Sequence, residues 1–135
     1  MIERVVDQDT IIAIIIRRNY RHEGISFFTP EDFSQQLAYM KRPASYEITP
    51  HVHQKVNRDV TMTQEVLFLR SGKVKVDFYT EGKSYLQSTV LDAGDVILLA
   101  SGGHGFTMLE DSEIIEVKQG PYLQDKDKIR FTSSA

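Results

Sequence analysis

The chain has 135 residues, 41% of them apolar and 26% charged, the length and composition of one folded globular domain. Sixteen Lys plus Arg against nineteen Asp plus Glu leave a net charge of −3, which provides no electrostatic footprint for nucleic acid or an anionic membrane surface. The absence of cysteine excludes disulfides, thiolate nucleophiles and sulfur-ligated zinc, so any metal must be held by His and carboxylate.

The only long apolar run, Ile11 to Ile16, is far below the roughly 20 residues needed to span a bilayer, and Arg17 and Arg18 follow it instead of preceding it. No membrane span is expected, and a cytoplasmic location follows as an expectation. The first half carries β-rich runs at 10–16 and 25–28 and a second pair at 37–42 and 45–53. Between them Thr29-Pro30-Glu31-Asp32 has a capping threonine, proline at the first helical position and an acid three residues after the cap, which predicts one helical turn. Residues 33–40 suit either helical or strand spacing, with a strand preferred from about Gln36.

From residue 63 onward strand follows strand. Val66 to Leu69 ends at Ser71-Gly72, and Lys73 to Phe78 alternates charged and apolar residues, the mark of a half-buried strand. Glu81-Gly82 predicts a tight hairpin turn, because glycine tolerates positive φ. Tyr85 to Leu91, Val96 to Leu99, His104 to Leu109 and Ile114 to Val117 continue the series, separated by turns at 92–95, 101–103 and 110–112. This spacing predicts an all-β barrel or sandwich. Its core is expected over about 10–118, with a C-terminal tail over about 119–135 whose alternating charges at 125–128 mark an exposed segment.

Two of the four histidines form His51-Val52-His53. On a strand, side chains two apart share a face about 6.6 Å apart along the chain, so both imidazoles can converge on one ion. Glu65 opens an apolar strand, where a carboxylate is costly unless paired or metal-bound, and His104 opens another after Gly102-Gly103. Three imidazoles and one carboxylate suit a divalent first-row metal with open positions for water or substrate. Equally, Glu65 can cap its strand in solvent and His104 can be a hydrogen-bonded loop residue.

This pattern resembles a cupin. His51 and His53 match the paired histidines of the first cupin motif, Glu65 its carboxylate and Gly72 its closing glycine, although eleven residues, Gln54 to Gln64, separate His53 from Glu65. Gly94-Asp95 and His104 resemble the start and the histidine of the second motif. The resemblance implies a double-stranded β-helix (jelly-roll) barrel, metal ligation by His51, His53, Glu65 and His104, and a homodimer. The metal is expected to be iron, zinc, nickel or manganese.

If the histidines face the interior, Leu67 and Leu69 share the face of Glu65, and Phe106 and Met108 that of His104, giving an apolar pocket floor. Tyr39, Tyr46, Arg58 and Gln64 are candidates to orient a small-molecule ligand. The basic stretch Arg17 to His22 is expected to be a solvated loop. The Phe27-Phe28 pair and the isoleucine run can form an intersubunit sheet or simply pack in the core. No His-Asp or Lys-based acid/base pair adjoins the metal positions. Two functions therefore stand: a metal-dependent enzyme on a small oxygenated or sugar-like substrate, of isomerase/epimerase or oxygenase type, and a non-catalytic module binding a small ligand or metal. A metal-free isomerase or epimerase with a lone His base is a third.

Overall fold

A computed structural model describes residues 1–124 and 126–133. It is all-β and antiparallel, and among the described residues there is no helix. The strands are β1 (Ile2–Asp7), β2 (Thr10–Ile16), β3 (Gly24–Phe27), β4 (Ala38–Lys41), β5 (Glu65–Ser71), β6 (Lys73–Tyr79), β7 (Tyr85–Asp92), β8 (Val96–Leu99), β9 (Gly103–Met108) and β10 (Glu113–Lys118). They form three sheets, ordered β1-β2-β8-β5-β10, β7-β6-β9 and β3-β4. The sheets do not close into a barrel.

The two larger sheets bury a common core. Leu67 and Leu69 of β5, Ile97 and Leu99 of β8 and Ile12 and Ile15 of β2 meet Val74, Val76 and Phe78 of β6. Alternation along β6 places its three apolar side chains inward at 0–1% exposure, as its period-two sequence requires. The other face of the five-stranded sheet carries a second core of Ile14, Ile16, Leu37 and Leu98, flanked by Tyr20 from the β2–β3 connection and by Phe28 and Phe33 from the β3–β4 connection. Two cores explain the unbroken apolar run at 11–16: β2 is covered on both sides, so neither face needs polar residues. The isoleucines are thus core residues of one chain, not an intersubunit surface.

Several local expectations are corrected. Thr29 to Asp32 makes a turn, not a helix: Phe33 N–H donates to Pro30 O at 3.1 Å, and the Gln36 amide donates to Pro30 O and Phe33 O, consuming the carbonyls a helix would need. Residues 45–53 form no strand, and the segment from 42 to 64 joins β4 to β5 without regular structure. Pro43 and Pro50 lack the N–H a ladder uses and constrain the residue before each. In the β6–β7 turn the residue at positive φ is Lys83 (74°), not Gly82; Thr80 Oγ1 accepts from Ser84 N–H and fixes that geometry. β1 had no predicted counterpart, and its register against β2 shifts between Val5 and Val6.

Gly72 links β5 to β6 at φ 94°, and a Cβ there would run into Ser112 Oγ and the Asp111 carbonyl. Only glycine permits both the left-handed backbone and that close approach. The tail also departs from a merely exposed segment. Phe131 packs edge-on against Tyr79 with centroids 5.0 Å apart, and Tyr79 Oη donates to Ser133 Oγ at 2.6 Å.

Candidate functional site

Period-two alternation sets Glu65 on the same buried face of β5 as Leu67 and Leu69. His104 pairs with Phe78 across β6–β9, which turns its ring towards the same inter-sheet space. The two meet across the gap between sheets: His104 Nε2 lies 3.1 Å from Glu65 Oε1. Lys118, opposite Glu65 in the β5–β10 ladder, brings Nζ to 3.6 Å from Oε2 and to 3.4 Å from Glu116. The residue Glu65 is 8% exposed, so its charge is offset by these partners and not by bulk water. The His104 hydrogen bond holds the Glu65 carboxyl below its usual value, against the opposite pull of burial and with help from the charges of His104 and Lys118.

With the carboxylate ionised, Nε2 of His104 carries the proton. In neutral imidazole the lone pair is then at Nδ1, which has no hydrogen-bond partner among the described residues and can accept a proton or ligate a metal. Phe106, beside the His104 ring at 5.5 Å, joins Leu67, Leu69, Val74, Leu91 and Ile114 around an apolar cavity of about 10 Å³, whereas Met108, expected beside Phe106, is 50% exposed and does not line it. A larger groove of about 530 Å³ lies beside Gln64, bordered by Asp9, Asp32, Phe33, Asp59 and Val60.

The other expected site residues are placed elsewhere. His51 and His53 sit together, ring centroids 5.3 Å apart, but on the exposed segment after β4 and not on a strand. His51 Nδ1 is engaged with Thr49 O at 2.8 Å. Among the described residues no three His, Asp or Glu side chains gather as a group able to hold an ion. The four expected ligands thus stand as two pairs, Glu65 with His104 and His51 with His53.

Tyr39 packs edge-on against Tyr20 at 4.9 Å, on the rim of the second core. Tyr46 is exposed, with the Arg42 guanidinium 4.4 Å over its ring, and Arg58 is exposed on the same segment. Gln64 is 6% exposed, and its Oε1 accepts from Gln35 N–H at 3.0 Å and Ser34 Oγ at 3.3 Å, so it anchors the loop before β4.

Lys118 was not foreseen, and it supplies a basic partner where none adjoins in sequence. Its signal was parity: Ile114, Glu116 and Lys118 share a face of β10, and Ile114 packs on the core. No family model, curated protein or solved structure matches this chain.

Proposed function

We propose that the chain is a small cupin-type jelly roll whose inter-sheet mouth, at Glu65 and His104, binds a divalent transition metal and acts on a small oxygenated or sugar-like molecule. The reading rests above all on the buried Glu65 carboxylate meeting His104 across the two sheets at 3.1 Å. Strand order supports it. From β5 to β10 the chain divides between two sheets, β8-β5-β10 and β7-β6-β9, with the crossing connections of a double-sheet Greek-key design.

By donor chemistry, His51, His53, His104 and Glu65 suit iron, zinc, nickel or manganese. By arrangement only Glu65 and His104 converge, so the metal's full ligand set is not assembled in the geometry seen here. A bound metal would supply Lewis acidity towards a carbonyl or hydroxyl. The chain's own residues orient the His104 ring through Glu65, hold positive charge at Lys118 Nζ, and keep water from the inner side through Leu67 and Phe106. A homodimer belongs to the same reading; Ile25, Phe27 and Met40, exposed on one face of the β3–β4 hairpin, supply apolar surface for it.

The test is elemental analysis of protein purified without an affinity tag. The expected result is close to one equivalent of iron, zinc, nickel or manganese, lost in His104→Ala. Metal-free protein would instead favour a second reading for which the Glu65–His104 bond also speaks: proton transfer at Nδ1 by a His oriented by a carboxylate, as in a metal-free isomerase or epimerase. Retention of a ligand without turnover would favour the binding-module alternative.

A further inference from the structure

The segment between β4 and β5 is too long and too patterned to be an ordinary loop. Structureless loops beyond about 12–15 residues are uncommon inside compact domains. Here residues 47–63 make no backbone hydrogen bond to any strand among the described residues. Their apolar side chains nevertheless fall on one parity. Tyr46, Ile48, Val52, Val56, Val60 and Met62 occupy even positions and are 40–89% exposed. Period two is the signature of a strand with one apolar face, and this face is uncovered.

The sheet beside it is incomplete in a complementary way. Among the described residues, β10 ends the five-stranded sheet and pairs on one side only. Its outer face continues from Phe68 to Ile115 and from Val66 to Val117 across the β5–β10 ladder, and Phe68, Ile115 and Val117 are 37%, 46% and 57% exposed. An open edge with an apolar face is a template for another strand.

We infer that residues 46–53 are a strap that closes on the free edge of β10 in its own chain, making a sixth strand, an edge position at which Pro50 turns its missing N–H to solvent and the odd residues make the ladder bonds. Parity fixes its facing. With the even residues, Val52 among them, on the outer side that carries Ile115 and Val117, the odd residues His51 and His53 turn inward, to the side of the sheet that carries Glu65, Glu116 and Lys118. Reach permits it: residues 54–64 extend up to about 36 Å, against the roughly 10 Å from β5 across β10 to the new strand. Tethering raises the strap's effective concentration at that edge over that of a second copy. The inference does not depend on whether the pocket binds metal.

The absence of cysteine allows a direct test. Val52→Cys combined with Ile115→Cys, and separately with Val117→Cys, sets thiols on the same face of adjacent strands. Under mild oxidation at least one of these variants should form an intramolecular bridge about tenfold faster than His53→Cys combined with Ile115→Cys, whose thiols lie on opposite faces. Equal rates for both parities would show random collision of an unpaired segment and overturn the strap. Bridges only between molecules would overturn it in favour of strand exchange with a second copy. Metal content, measured on the unmodified protein, reports separately on the pocket.

Discussion

Arg17 and Asp95 lie 78 residues apart in sequence and are joined by a 2.9 Å ion pair, with Asp95 1% exposed. Around that bond every donor of the guanidinium is used: Nε and Nη2 reach Glu3, Nη1 also reaches Val90 O, and Nη2 also reaches Thr89. Asp95 accepts in addition from the backbone N–H groups of Arg18 and Asp92. One side chain thereby pins β1, β7 and the turn into β8 to the end of β2. The Glu3 hydrogen bond, ahead of the opposing effect of burial, raises the Arg17 pKa, and Asp95 adds to it.

Removing Asp95 leaves Arg17 its bond to Glu3 but takes the acceptor from the Arg18 and Asp92 N–H groups and from one guanidinium donor, so Asp95→Ala should lose about 3 kcal/mol. Urea unfolding of the variant against the parent measures this, and a loss under about 1 kcal/mol would show that the network contributes little net stability.

Gly72→Ala would place a Cβ against Ser112 and the Asp111 carbonyl at positive φ. Left-handed backbone alone costs a non-glycine residue about 1–2 kcal/mol, and the clash must add to that. The expected loss is therefore about 2 kcal/mol or more, read as a fall in thermal midpoint with no change in far-UV circular dichroism.

Glu65 makes stability depend on acid pH. Its carboxyl sits below the usual 4.5 when folded, mainly through the His104 hydrogen bond, so it contributes stability above pH 4.5 that disappears as pH falls through the lowered value. The urea midpoint should drop as pH falls below about 4.5, and Glu65→Gln should flatten that part of the profile. An unchanged slope in the Gln variant would place the acid sensitivity elsewhere.

Phe131→Ala should cost about 1–2 kcal/mol, because it removes an edge-on aromatic contact and uncovers Tyr79. Near-UV circular dichroism, which reports tyrosine packing, should change in parallel. A variant as stable as the parent would make the tail dispensable.

What the sequence disclosed follows the range over which its signals act. From residue 65 onward, short apolar runs bounded by turn residues, together with the alternation of Lys73 to Phe78, placed β5 to β10, and strand parity turned Glu65, Leu67 and Leu69 to one face. The facing of Glu65 and His104 could be read in this way, but Lys118 as their neighbour depends on ladder register between β5 and β10, which no local signal encodes. His51 and His53 alternate as a strand would, and in this structure no edge is paired with them. Arg17 read as part of a basic stretch because its partners come from three distant stretches of chain. Gly82 offered the usual signal for a turn, yet the side chain of Thr80 moved the positive φ to Lys83.

The doubly covered β2 also has a cost during synthesis. Ile11, Ile12, Ile14, Ile15 and Ile16 leave the ribosome together, and β1 can cover only one edge of that strand, while the other edge waits for Val96 to Leu99. At roughly 5–20 residues per second, the intervening eighty or so residues keep that edge unpaired for about 4–16 s. The nascent chain is therefore most prone to self-association before β8 has been made, and replacements that weaken β2 should reduce soluble yield more than they reduce the stability of molecules that have folded.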